Sequence, residues 1–172
     1  MTVDMNKISE SLTSSIVEFG NTHEVERELL EFVKVYESNT ELRQTLSSES
    51  LPFENRLAVV NEIVEGSLRE TKAVLSFLVA AELSAELPEI VRKIINNTAS
   101  HRGANVAYVT SAKELSKEQI NELKDALEKS TDRKIDVHVN VDETILGGLS
   151  VELGETSIDG TLVSRLNQIK TK

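Results

Sequence analysis

The sequence predicts an α+β protein, in which an N-terminal six-helix bundle is followed by a small α+β domain. Two observations carry this prediction. Up to about Gly103 the apolar residues recur at the three- and four-residue spacing of helices, and after it they alternate with polar residues as in strands. The chain has 172 residues, of which 39% are hydrophobic, so it is long enough for two small domains. We place these at residues 1–104 and 105–172.

Four helices are predicted before residue 70. The first two each have one apolar face and are separated by Gly20, where the first pattern stops. Their faces are Met5, Ile8, Leu12, Ile16 and Phe19, and then Val25, Leu29, Phe32 and Tyr36. A short third helix carries Leu42 and Leu46, and a fourth has Pro52 in its first turn and ends at Gly66.

The fifth and sixth helices differ in pattern. Residues 73–81 are apolar almost all round, which is typical of a helix that its neighbours cover on several sides, and we expect this helix to be central. Pro88 opens the sixth helix, which runs to about His101. Short links between all six favour a bundle.

The C-terminal domain is predicted to be strand, helix, strand, strand, short strand and helix. Val106 and Tyr108 share one face of the first strand, and Ser116 with Gln119 forms a capping box that starts the helix. The predicted core face of this helix is Ile120, Leu123, Ala126 and Leu127, and that of the next strand is Ile135, Val137, Val139 and Val141.

The last stretch alternates again from Leu149 to Leu153, and Gly154-Glu155 is a predicted turn into a strand at 156–158. We expect Asp159 to cap a closing helix. The apolar stripe of that helix is Leu162, Leu166 and Ile169. The pair Gly147-Gly148 runs into a strand with no lysine after it, which favours a close backbone approach over a phosphate-binding loop.

Composition excludes several kinds of chemistry. The sequence has no cysteine, which excludes disulfides and thiolate sites, and its three histidines lack metal-ligand spacing. A net charge of −10 without a basic stripe argues against nucleic acid and anionic lipid. No apolar run or N-terminal signal indicates membrane insertion or export, so we expect a soluble bacterial protein. The carboxylates follow helix faces and mark no cleft, so we expect no active site, metal or cofactor.

The last stretch resembles the C-terminal signature of the delta subunit of the F-type ATP synthase, the family called the oligomycin-sensitivity-conferring protein in mitochondria. The matching residues are Asp142, Gly147, Gly148, Gly154, Ile158, Asp159, Gly160, Arg165 and Leu166. Thr161 and Glu155 replace a common serine and aspartate. The residues from Val106 to Ala112, with Leu115-Ser116 and Gln119, also match the family's junction pattern. The start of the first helix departs from the family at residues 7–13.

The resemblance implies a non-catalytic subunit of the peripheral stalk, or stator, which supports ATP synthesis from the cytoplasmic side of the bacterial cell membrane. It implies that the helical domain holds N-terminal segments of alpha subunits and that the C-terminal domain holds the end of the b subunit. The alternative is an unrelated small helical adaptor or regulatory protein with the same layout, since fold alone does not fix function.

The family binds its alpha-subunit helix in a groove between the first and fifth helices, and such grooves depend on a few apolar anchors. The residues here that match this position are Ile8, Leu12, Ile16, Val74, Phe77 and Leu78. Each of them is equally compatible with a place in the core of the bundle, because a stripe looks the same in both cases. Phe77 is the strongest candidate because aromatic anchors dominate such grooves.

Overall fold

The computed structural model describes residues 4–48, 50–145, 147–154 and 156–159. The chain divides into two compact units, Met1–Thr98 and Ala99–Lys172. Helices make up the first unit, and a sheet with one further helix makes up the described part of the second. The predicted α+β class is therefore confirmed.

Six helices lie between Met5 and His101. They are α1 Met5–Phe19, α2 Thr22–Ser38, α3 Thr40–Leu46, α4 Phe53–Ile63, α5 Arg69–Ala80 and α6 Leu87–His101. Gly20 ends α1 at φ 86°, a left-handed backbone conformation that glycine adopts without strain. The prediction that Pro52 lies in the first turn of α4 is wrong. Pro52 precedes the helix as its N-cap residue, since its extended backbone, with ψ 143°, cannot belong to the helix.

The core of the helical unit is aliphatic and is centred on α6, whose Ile90, Ile94 and Ile95 are fully buried. Two of its buried polar side chains bond to groups distant in the chain. The Thr98 hydroxyl of α6 donates to the buried carboxylate of Glu26 on α2, and the Tyr36 hydroxyl donates to the Ser84 carbonyl oxygen at 2.6 Å. Such pairing removes the cost of burying polar groups.

Helix α5 ends without a glycine. After the C-cap residue Ala81, Glu82 takes the left-handed conformation at φ 60°. The Leu83 amide then donates to the Leu78 carbonyl oxygen at 2.9 Å, and the Glu82 amide to the Val79 carbonyl oxygen at 3.2 Å. These two bonds form a Schellman motif in which glutamate stands in the usual glycine position.

The second unit contains a four-stranded sheet in the order β2-β1-β3-β4. The strands are β1 Ala104–Ser111, β2 Lys134–Val141, β3 Leu149–Leu153 and β4 Thr156–Asp159, and α7 Lys117–Thr131 connects β1 to β2. Strand β1 pairs in parallel with β2 and antiparallel with β3, and β3 pairs antiparallel with β4. The predicted returning strand is confirmed, and Asp159 lies in it.

One face of this sheet forms the core with α7. The buried cluster is Ala107, Val109, Leu127, Ile135 and Val151. Ala107 and Val109 are the β1 residues in this cluster. Val106 and Tyr108 share the opposite face of the strand, where Val106 is also buried. Ala126, predicted in the core face of α7, is exposed, and Val141 at the end of β2 is 40% exposed.

The division between the units falls earlier than the predicted residue 104. Helix α6 continues beyond Thr98 to His101. Arg102 then forms an ion pair with Asp136 of β2 at 2.7 Å. Both side chains are about three-quarters buried, so the pair is shielded from solvent. This contact ties the residues after Thr98 to the sheet.

The signature residues Gly160, Arg165 and Leu166, and the predicted closing helix with Leu162 and Ile169, lie outside the described residues.

Candidate partner-binding surface

Helix α1 buries small polar residues and leaves its apolar stripe half covered. Ser9 and Thr13 are buried beside Ile16, and the Thr13 hydroxyl donates to the Ser9 carbonyl oxygen at 2.7 Å. Ile8 and Leu12, one step round the helix, are only partly buried. Because residues three, four and seven positions apart share a helix face, Phe19 continues that stripe, and it is 65% exposed.

From Ala73 onward, helix α5 presents an uncharged face to solvent. Its inner face is buried and consists of Thr71, Val74, Leu75, Leu78 and Val79. On its outer face Phe77 is 45% exposed, and Ala73, Ala80 and Ala81 are exposed around it. The expectation that neighbours cover this helix on several sides is wrong for the outer face. Residues 73–81 carry no charge, which is unusual for a helix face in water.

The two helices lie side by side. Helix α1 contacts α5, and α2 contacts both of them. The half-covered stripe of α1 and the outer face of α5 therefore belong to two helices that are in contact within one unit. Because the alanine side chains on the outer face of α5 are small, another helix can approach the α5 backbone closely there.

The six predicted anchor residues divide by burial. Ile16, Val74 and Leu78 are buried in the chain itself, with at most 4% exposure. Ile8 and Leu12 are partly buried, and Phe77 is exposed. Phe77 is thus the candidate with the largest apolar area free to bind a partner. Sequence reasoning placed Phe19 in the face of the first helix but did not select it as an anchor, although its spacing from Leu12 was the available signal.

The start of α5 is fixed by a residue of α2. Both carboxylate oxygens of Glu28 accept from the Leu68 amide, at 3.0 and 3.3 Å, and the carboxylate also accepts from the Thr71 hydroxyl. Leu68 is the N-cap residue of α5 and makes no side-chain capping bond. Glu28 therefore supplies from another helix the acceptor that the start of α5 lacks.

The signature residues that the structure describes lie in and after the loop from β2 to β3. Gly147 and Gly148 have φ of 130° and 87°, which require glycine. The Asp142 amide donates to the Ser111 carbonyl oxygen at 2.9 Å, joining this loop to the end of β1. The Asp142 carboxylate accepts from the Thr144 hydroxyl and amide, and these two bonds hold the pKa of Asp142 below its usual range.

Among the residues described, no group of three or more histidine, aspartate and glutamate side chains is arranged to hold a metal ion. Within the same residues, no helix has the length and apolar character needed to cross a membrane.

A family model described as "ATP synthase delta (OSCP) subunit" matches residues 8–172. The chain belongs to this family. The match covers both units and includes the Gly-Gly signature, so the resemblance seen in the sequence is confirmed.

Similar proteins carry the family's name. The "ATP synthase subunit delta" of Beutenbergia cavernae is 29% identical over 163 residues, which are 94% of this chain and 60% of that protein. The "ATP synthase subunit b-delta" of a Mycobacterium species is 31% identical over 152 residues, which are 88% of this chain and 34% of that protein. The chain thus spans less than two thirds of the length of these relatives.

The fold is also found in solved structures. A chain in the cryo-EM structure of the Toxoplasma gondii mitochondrial ATP synthase hexamer matches 99% of this chain and 97% of its own length, with a TM-score of 0.63 and 16% identity. This likeness extends over both units and shows a shared fold.

Proposed function

We propose that this protein is the delta subunit of a rotary ATP synthase and acts without an active site of its own. In this role it is a part of the peripheral stalk, which holds the catalytic head still while the rotor turns. The observation that carries the proposal is the family match over residues 8–172, and the shared fold supports it. A stator resists torque through two interfaces on two linked units, and the chain has two such units.

We assign the first interface to the helical unit, as a six-helix bundle that holds the N-terminal segment of an alpha subunit. The partner helix lies along α1 and α5, with Phe77 as its main contact and Ile8, Leu12 and Phe19 along the other wall. Three properties support this surface: it is apolar, it is exposed, and it belongs to two helices in contact. Exposed apolar patches of this kind mark interaction surfaces.

We assign the second interface to the sheet unit, which binds the C-terminal end of the b subunit. Support comes from the relatives named "ATP synthase subunit b-delta", whose name joins both subunits in one chain. Through these contacts the protein is held at the cytoplasmic side of the bacterial cell membrane and does not insert into it. No cofactor, metal or nucleic acid takes part in this role.

Replacing Phe77 with alanine tests the first interface. The measured quantity is the affinity for a synthetic peptide made from the N-terminal segment of the alpha subunit encoded in the same genome. An aromatic anchor in such a groove contributes about 2 kcal/mol or more, so we expect binding to weaken about thirtyfold. The melting temperature should fall much less than after truncation of a core residue, because Phe77 is 45% exposed and leaves no enclosed cavity.

Two variants serve as controls. Val35→Ala removes a side chain of α2 that is 43% exposed, outside the proposed groove, and should leave the affinity unchanged. Leu78→Ala empties a fully buried position next to Phe77 and should lower the stability by about 2–5 kcal/mol. If Phe77→Ala lowers the melting temperature and leaves peptide affinity intact, Phe77 is not an anchor.

A further inference from the structure

The first turn of α5 has no cap from its own sequence neighbours. A capping box needs a side-chain acceptor at the N-cap position and a glutamate or glutamine three residues later. In α7 both are present, because Ser116 and Gln119 bond each other's backbone amides. In α5 the corresponding residues are Leu68, whose side chain has no acceptor, and Thr71.

Glu28 of α2 takes the place of the missing box residue. Its carboxylate accepts from the Leu68 amide, which is the bond that a glutamate at the third helical position makes in a local box. It also accepts from the hydroxyl of Thr71, the residue that occupies that position here. Its negative charge lies at the positive end of the α5 dipole. Glu28 therefore fixes both the beginning of α5 and its place against α2.

We propose that Glu28 is the positioning residue for the α5 wall of the alpha-subunit groove. This inference rests on the proposed function. Helix α2 contacts both α1 and α5, so a bond from α2 to the first turn of α5 sets where α5 stands relative to α1. The spacing of two walls decides whether a guest helix contacts both, and small displacements of a preformed groove reduce affinity. Glu28 touches no guest itself and acts through α5.

The test compares Glu28→Ala and Glu28→Gln in the full chain, with Glu31→Ala and Glu31→Gln as matched controls. Glu31 lies on the same helix, is exposed, and pairs with Arg27. Two quantities are measured: hydrogen exchange of the amides of residues 68–72 in the free protein, and affinity for the alpha-subunit peptide at a temperature well below unfolding.

We expect Glu28→Ala to speed exchange in the first turn of α5. Peptide binding should weaken about fivefold, because the guest helix must then reorder this turn at the cost of one cap. Glu28→Gln keeps an acceptor oxygen and should restore much of the exchange protection and much of the peptide affinity. The Glu31 variants should change neither. A residue with a merely structural role would lower the melting temperature without altering affinity in the folded protein.

Two other results overturn the inference in different ways. If the unmodified chain binds the peptide and Glu28→Ala binds it as tightly as Glu31→Ala, Glu28 does not position the groove. If the unmodified chain binds no peptide, the groove itself is refuted, and the exchange data still decide the cap: unchanged exchange at residues 68–72 shows that Glu28 does not fix α5.

Discussion

Glu82 stands where helices usually place glycine, and its replacement measures how much strain the end of α5 contains. At φ 60° a residue with a Cβ atom costs about 1–2 kcal/mol relative to its relaxed backbone. Glycine avoids that cost but loses about 0.5–1 kcal/mol more chain entropy on folding. The difference predicts that Glu82→Gly is more stable than Glu82→Ala by about 1 kcal/mol.

The side chain of Glu82 adds a second effect. Its carboxylate lies 3.7 Å from the Arg56 guanidinium, which is 7% exposed, whereas Glu82 is 67% exposed. A pair with one solvated partner contributes at most about 1 kcal/mol. Both variants lose this contact, so it cancels between them. Glu82→Ala should therefore lie at most about 1 kcal/mol below the natural protein, and Glu82→Gly about 1 kcal/mol above Glu82→Ala.

The assay is thermal unfolding of the helical unit, since two units need not unfold as one. Tyr36 and Tyr108 are the two tyrosines of the sequence, one in each unit, so in a Tyr108→Phe background Tyr36 reports on the helical unit alone. A difference of 1 kcal/mol corresponds to about 4–8 °C in melting temperature. Equal stability of the glycine and alanine variants would refute strain at residue 82.

Two further predictions concern the sheet unit. Gly148→Val forces a β-branched residue into φ 87° and should unfold or greatly weaken this unit while Tyr36 still reports a folded helical unit; full protection of β1 and β3 amides from hydrogen exchange in the variant would contradict it. The depressed pKa of Asp142 means that its bonds to Thr144 stabilise the fold above the ordinary aspartate range, and that this contribution is lost as the pH falls through the lowered value. In Asp142→Ala, the β2 and β3 amides should therefore exchange faster than in the natural protein at neutral pH, and no faster at strongly acid pH. Asp125→Ala on α7 is the control. A difference that persists in acid would refute the role given to the Asp142 carboxylate.

Local signals explain which parts of this fold could be predicted from sequence. Helix α7 begins at Ser116 because the side chains of Ser116 and Gln119 cap each other's backbone, and α1 ends at Gly20 because glycine alone takes that conformation freely. Both causes lie within a few residues of their effect. The family signature is also a local signal, because it is a fixed spacing of glycines and acidic residues along the chain.

The sequence by itself determined the order of the elements and the family. Only the tertiary structure decided where α5 begins and ends and which of its faces is exposed to solvent. Its first turn depends on Glu28, forty residues away in the chain, and its end on a left-handed Glu82 whose carboxylate lies near Arg56. Leu78 and Phe77 are adjacent and both apolar, yet Leu78 is buried and Phe77 is exposed. This difference follows from the helices that pack against α5. Such neighbours meet only after folding, so a periodic pattern alone cannot distinguish a core face from a docking face.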